Sequence, residues 1–302
     1  MKKLLLAFII FGAACYQSKA QQDPLYAQYI NNPLVINPAY TGINNVLNAS
    51  LGHRTQWAGF EGAPNTTSLS VHSSLFDNKV GGGILLIRDQ LGAITTSVYN
   101  FTGSYKIELG ERVFSFGLQG GVLKVNENDD ELLIKDANDP LFQGDNSFSK
   151  FNFGAGVALK SPDYFIGISM PRMINSTQSF GDLEAAVSRR HLYIAAGYVY
   201  HLGVDLALKP SVLIKALSDS PLSIDYNASI VLRDKLTAGI ISRNFQTFGL
   251  LGQLNINDNL RAGYVFEVPT GQSVGANFTS HELTITLDLE VFDFHFLSER
   301  YF

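Results

Sequence analysis

The sequence predicts an all-β protein: an antiparallel transmembrane β-barrel of about fourteen strands, with an N-terminal non-strand segment and long extracellular loops. Three observations predict it. Apolar and polar residues alternate with period two in segment after segment, and the connections between those segments alternate between short and long. The chain also opens on an export leader and afterwards holds no uncharged apolar run long enough to cross a membrane as a helix.

The leader comes first. Lys2 and Lys3 precede an apolar run from Leu4 to Ala14, and Ser18-Lys19-Ala20 supplies the small-x-small ending of a Sec signal peptide. The run is about eleven residues long, short of the ~20 that a spanning helix needs. Cleavage after Ala20 is expected, which divides the chain into a signal peptide, 1–20, and one outer-membrane barrel domain, 21–302. Cys15, the only cysteine, lies inside the leader. Lipidation there would make it the mature amino terminus, but Gly12 stands three positions before it, where leucine is usual, so a discarded leader residue is the favoured reading. The mature chain then has no cysteine, which excludes disulfides and thiolate metal sites.

Removal of Lys2, Lys3 and Lys19 takes the 22 basic residues to 19 against 27 acidic ones, a net charge of −8 for the mature chain. Nucleic acid is therefore not an expected partner, because its footprint is clustered positive charge. A mean hydropathy of +0.08, 12% aromatic residues and 27 glycines suit a barrel, whose strands dilute their hydrophobicity by alternation.

The alternation is clearest from Arg112 to Val125, where Phe114, Phe116, Leu118 and Val122 face away from Ser115, Gly117, Gln119 and Gly121. Phe151, Phe153, Ala155, Val157 and Leu159 repeat it against Asn152, Gly154, Gly156 and Lys160. Val204 to Ile214, Leu222 to Leu232 and Leu283 to Leu289 do so again, with Lys209, Lys215, Asp225, Glu282 and Asp288 on the other face. Charges on the non-apolar face predict a polar lumen. Weaker alternation covers 46–57, 66–75, 94–106, 191–200, 248–256 and 259–267, while 79–88, 163–170 and 235–243 are ambiguous.

From a periplasmic start, the inner turns fall at Asp77-Asn78-Lys79, Leu109-Gly110-Glu111, Ser161-Pro162-Asp163, Leu202-Gly203, Arg233-Asp234 and Asn257-Asp258-Asn259. All are short and built from turn-forming residues. The alternate connections include three long ones, 126–149, 171–190 and 268–280. A large soluble β-sandwich would alternate similarly, but export, even strand count and loop parity favour the barrel.

Two segments stand outside this pattern: Asp23-Pro24-Leu25-Tyr26-Ala27-Gln28-Tyr29, continuing through Asn32-Pro33 to Asn37-Pro38-Ala39-Tyr40-Thr41-Gly42, and Arg54-Thr55-Gln56-Trp57-Ala58-Gly59-Phe60-Glu61-Gly62-Ala63-Pro64. They resemble the D-P-x-Y-x-Q-Y, N-P-x-x-x-N-P-A-Y-x-G and R-x-Q-W-x-G-x-x-G-A-P motifs of the PorP/SprF family. Ser280-His281-Glu282-Leu283 is similar to the family's late G-S-H-E-I element, with Thr279 in place of glycine, and Ser298-Glu299-Arg300-Tyr301-Phe302 to its S-P-R-Y-F ending, with Glu299 in place of proline. The resemblance implies a Bacteroidetes outer-membrane protein of the type IX secretion and gliding machinery. It implies as partners the outer-membrane lipid, a periplasmic lipoprotein ring of the machinery, and cargo carrying a C-terminal secretion domain.

Physically, the first segment is turn-rich and suited to packing inside the barrel mouth or along its periplasmic rim. Trp57 suits an interfacial belt. A direct protein contact is the sharper reading, since Trp and Arg are enriched at binding hot spots. The candidate protein-binding residues are Asn37, Pro38, Tyr40, Arg54, Gln56, Trp57, Gly62 and Pro64.

Enzymatic chemistry finds little support. His72 and Ser74 share a strand face, but with Ser68 and Ser70 that face points to the lumen rather than to lipid. The histidines at 53, 191, 201, 281 and 295 show no metal-ligand spacing. Asp129, Asp130, Glu131, Asp136, Asp139 and Asp145 do not follow a calcium-loop pattern and read as a solvated acidic loop. Gly81-Gly82-Gly83 lies within a strand and suits a bend or a close backbone approach. The expectation is a non-enzymatic, cofactor-free barrel that binds secretion machinery or cargo; the alternative is an outer-membrane transport pore for a small solute.

Overall fold

The computed structural model describes residues 26–127, 147–180, 183–218, 220–271 and 277–297. The leader with Cys15, the acidic run from Asp129 to Asp145 and the ending from Ser298 to Phe302 lie outside the described residues.

Fourteen antiparallel strands form one closed barrel. They are β1 (Leu47–Thr55), β2 (Asn65–Leu75), β3 (Val80–Leu91), β4 (Ile94–Leu109), β5 (Arg112–Glu127), β6 (Phe148–Lys160), β7 (Tyr164–Met170), β8 (His191–Tyr198, resuming at Tyr200–His201), β9 (Leu206–Leu217), β10 (Ser223–Leu232), β11 (Leu236–Arg243), β12 (Thr247–Asn255), β13 (Leu260–Pro269) and β14 (Ser280–Leu289). Each strand pairs with the next, and β1 pairs with β14 from Leu47↔Leu289 to Thr55↔His281, leaving no open edge. The ambiguous segments 79–88, 163–170 and 235–243 are strands β3, β7 and β11. Val204, taken in sequence as part of an alternating strand, lies in the turn before β9.

The connections keep the expected parity. At one end lie the short turns 76–79, 110–111, 161–163, 202–205, 233–235 and 256–259. Two of them are built on consecutive left-handed residues, Phe76 to Asn78 and Arg233 (φ 50°) with Asp234 (φ 52°), the geometry that matches strand twist in tight hairpins. The other end carries 56–64 and the three long connections. Between β7 and β8 a two-stranded ribbon, Ser176–Phe180 with Leu183–Ser188, forms a sheet of its own that is not paired with the barrel strands.

The lumen departs from the sequence expectation. It is not uniformly polar: Leu85, Ala158, Phe165, Tyr193, Ala195, Ala207, Leu213 and Val231 point inward and are buried. They pack against the N-terminal segment, whose Tyr29, Leu34, Val35, Ile36, Ala39, Tyr40 and Ile43 complete a hydrophobic core inside the barrel. The outer face instead exposes Phe101, Leu118, Phe151, Ile240 and Leu250, the apolar surface that a bilayer covers.

Candidate functional site: a lumenal plug and an outer-mouth loop

Residues 26–46 traverse the lumen from the long-loop end to the short-turn end, where they enter β1. Two 3-10 turns, Pro33–Val35 and Pro38–Tyr40, give the segment its shape. In each a proline preceded by asparagine sits at the first position, where its missing N–H costs nothing and its fixed φ is already suitable. Asn37 caps the second turn by accepting the Ala39 N–H at 2.9 Å, while its amide donates to the Val157 carbonyl at 3.1 Å.

The wall grips this plug mainly through hydroxyls that donate to its carbonyls. Ser169 donates to Ile36 O, Ser115 to Ala39 O and Ser104 to Thr41 O, each at 2.6 Å, and Ser70 donates to the Asn32 side chain at 2.9 Å. Near the short-turn end Lys106 Nζ donates to Gly42 O (2.6 Å), Asn45 Oδ1 (2.7 Å) and Ser74 Oγ (2.7 Å), and Lys160 donates to Asn44. Irregular backbone in a low-dielectric interior needs such partners, because an unpaired carbonyl there carries the whole desolvation penalty.

Glycines on the lumenal face make the space. Gly117 and Gly156 are register partners on β5 and β6. A Cβ on Gly117 would overlap the Pro38–Ala39 backbone, and one on Gly156 would overlap the Asn37 side chain. Gly81 faces Thr41 O and Gly263 faces the Gln28 side chain in the same way, so the close backbone approach expected of the Gly81-Gly82-Gly83 run occurs at Gly81.

A charged latch holds the plug near the long-loop end. The Glu282 carboxylate accepts the backbone N–H groups of Ala27 (2.8 Å) and Gln28 (2.9 Å) and pairs with Arg54 Nη1 at 3.0 Å. Arg54 Nη2 reaches Glu267 at 2.5 Å, and Arg243 bonds both oxygens of Asp225 at 2.8 Å. Arg54, Glu267 and Glu282 are each at most 5% exposed, so this is a desolvated network whose members depend on one another.

At the short-turn end the residues after β14 fold back across the opening. His295 is buried with its Nε2 2.9 Å from Ser74 O, Phe296 N–H donates to Asn45 O at 3.3 Å, and Asn78 donates to Phe294 O at 2.7 Å. Beside the plug, a cavity of about 50 Å³ among Tyr26, Asp89, Gln119, Arg172 and His191 has room for a water or two.

The eight candidate residues separate into two groups. Asn37, Pro38, Tyr40 and Arg54 are buried inside the barrel, the first three as part of the plug itself. Gln56, Trp57, Gly62 and Pro64 lie in the 56–64 loop at the long-loop end. That loop is docked: Trp57 (φ 55°) donates its N–H to Ser280 Oγ at 3.2 Å, Ala58 N–H donates to Thr279 O at 2.7 Å, and Phe60 stacks edge-on with Phe278 at 5.5 Å. Its left-handed Gly62 (φ 71°) lets the next hairpin's Gly92 donate to Gly62 O at 2.9 Å. Trp57 is half-buried, and Gly59, Phe60, Glu61 and Gly62 are exposed.

His72 and Ser74 do point into the lumen. His72 Nδ1 accepts the Gly42 N–H at 3.0 Å, and Ser74 Oγ accepts from Lys106, so both belong to the plug's seat. Among the described residues no group of three His, Cys, Asp or Glu side chains converges on a metal position. The sequence reading missed Glu267, Arg243, Asp225 and Lys106 as parts of the site. Their signal was present as charges and glycines on the lumenal faces of strands whose other faces are apolar.

No curated protein matches the chain. Among solved structures, the CymD monoaromatic hydrocarbon channel has a TM-score of 0.53 at 13% identity, with 88% of this chain and 94% of that chain covered. The P. putida toluene transporter TodX has a TM-score of 0.50 at 9% identity, covering 87% and 95%. At such identities the likeness is one of fold, that of outer-membrane barrels. The family model described as type IX secretion system membrane protein PorP/SprF matches residues 18–287. That span takes in the plug, the latch and the outer-mouth loop, and the chain belongs to the PorP/SprF family of type IX secretion system membrane proteins.

Proposed function

We propose that this barrel serves type IX secretion, without catalysis, by binding proteins at its two ends. The partners are the periplasmic lipoprotein ring of the machinery, the C-terminal secretion domain of cargo, or both, in secretion or cell-surface retention that supports gliding. Export through a Sec signal peptide cleaved after Ala20 delivers it to the outer membrane. The single observation that carries this reading is the occupied lumen: residues 26–46 are seated on both wall and latch, which argues against a wide solute channel. The exposed ends remain for recognition. With the short turns periplasmic, as in other bacterial barrels, the 56–64 loop with Gln56, Trp57, Gly62 and Pro64 faces outward.

Co-purification from native membranes, with partners identified by mass spectrometry, tests the proposal. It expects type IX machinery or secreted cargo in stoichiometric amounts. A barrel recovered without protein partners that passes a small solute in vesicles would overturn it in favour of a transport pore.

A further inference from the structure

The outer wall over β2–β5 changes character abruptly near the long-loop end. Along one register row the lipid-facing residues are Leu69, Leu86, Tyr99, Val122 and Phe151. One row nearer the loops they are Thr67, Arg88, Ser97, Lys124 and Ser149. Arg88 and Lys124 therefore each cap an apolar column on their own strand. They are two strands apart, about 10 Å at the usual inter-strand spacing. Both side chains are exposed, and neither forms an ion pair with another described residue.

At this boundary the wall is hollowed into a groove of about 480 Å³. Its floor and lower side are Leu69, Leu86 and Tyr99; its upper side is Thr67, Arg88, Thr95, Ser97 and Asn126. Among the described residues the one carboxylate in the lining, Glu127, lies at the end of β5 opposite Ile94, whereas Arg88 stands directly above Leu86. An apolar trough under hydroxyls and a guanidinium that forms no ion pair among the described residues, placed where hydrocarbon gives way to headgroups, is complementary to one kind of molecule: an amphiphile with an acyl chain and an anionic head.

We propose that this groove binds a phosphate-bearing lipid of the outer leaflet. Its acyl chain lies along Leu69, Leu86 and Tyr99, and its phosphate is held by Arg88 with Lys124 beside it. Arg88 suits the role because its planar fork bonds phosphate oxygens bidentately, and the low dielectric of the boundary strengthens the pairing. The site is independent of the plug and of protein recognition at the barrel ends.

The test uses the full mature barrel, delipidated in detergent and titrated with phosphorylated lipid A, with binding read by native mass spectrometry. Dephosphorylated lipid A and inorganic phosphate are the other two probes. The wild type is expected to bind the phosphorylated lipid in preference to both. Arg88→Gln with Lys124→Gln is expected to lower that affinity about tenfold or more, as loss of charge-assisted hydrogen bonds implies, while heat-modifiability stays normal. Arg233→Gln, at an exposed cation in a short turn, is expected to leave binding unchanged. Equal binding of the dephosphorylated lipid, equal binding of inorganic phosphate, or unchanged affinity in the folded double variant would each overturn the proposal.

Discussion

The plug and the outer-mouth loop carry the same kind of sequence, rich in Asn, Pro, Gly and aromatic residues and outside the strand alternation, yet the barrel uses them in opposite ways. The plug is buried and matched by the wall along much of its length: Asn37 bonds Val157 and Ala39, its carbonyls accept from serines, and glycines across the lumen make room for its bulk. The 56–64 loop is fixed at its base by Ser280 and Thr279 and leaves Gly59 to Gly62 to solvent. An irregular motif in a barrel is therefore not a contact surface by virtue of its residues alone. What distinguishes a structural insert from a presented loop is whether the wall opposite has been carved to receive it.

Arg54 and Trp57 are three residues apart and divide between these two roles, so they give the largest contrast. Among the described residues, Arg54→Ala leaves the buried Glu282 with only the Ala27 and Gln28 N–H donors and the buried Glu267 with only Arg243, 3.7 Å away, and should cost about 3 kcal/mol. The loss would be read as a lower temperature of heat modification and faster proteolysis within residues 26–46. Trp57→Ala should leave both near wild type. If the two variants are equally destabilised, the division between insert and loop fails.

A somewhat smaller effect is expected of Gly117→Leu. The new side chain falls on the Pro38–Ala39 backbone, and forced overpacking of this kind costs about 2–3 kcal/mol. Cleavage by added protease should appear inside the plug while the far wall, β9 to β12, keeps its protection. An intact plug in this variant would mean that Gly117 does not define the seat.

On the loop, Trp57→Ala is expected to weaken association with partner proteins by about 2 kcal/mol, roughly thirtyfold, in a pull-down of normally folded barrel. Full association would move the contact to the other long-loop connections. Smallest of all, Asn37→Ala removes one turn cap and one hydrogen bond to the wall and should cost about 1–2 kcal/mol of thermal stability, with partner binding untouched.

Much of the wall was legible in the sequence because a barrel writes its geometry locally. Phe114 to Val122 show their two faces by period, and turns such as Arg233-Asp234 show their side by length. The lumen was less legible. Leu85, Phe165 and Leu213 look like breaks in a polar face until a segment far away in sequence is placed against them, and Leu85 and Phe165 lie in two of the ambiguous segments. The latch had the same difficulty. Arg54 and Glu282 were both visible within family-like motifs, but the pairing that buries them spans 228 positions of the chain, which no spacing rule reaches. Gly117 and Gly156 came closest to an available signal, small residues at adjoining lumenal positions where a wall has been thinned for something to enter.

The central claim, that the lumen is closed by its own N-terminal segment, is tested most directly by ion conductance of the purified mature barrel in a planar bilayer. The filled interior predicts no steady conductance from the wild type, and stable open channels once residues 27–43 are deleted or Gly117→Leu and Gly156→Leu unseat the plug. A wild-type barrel that conducts as steadily as the plug-deleted one would contradict the account.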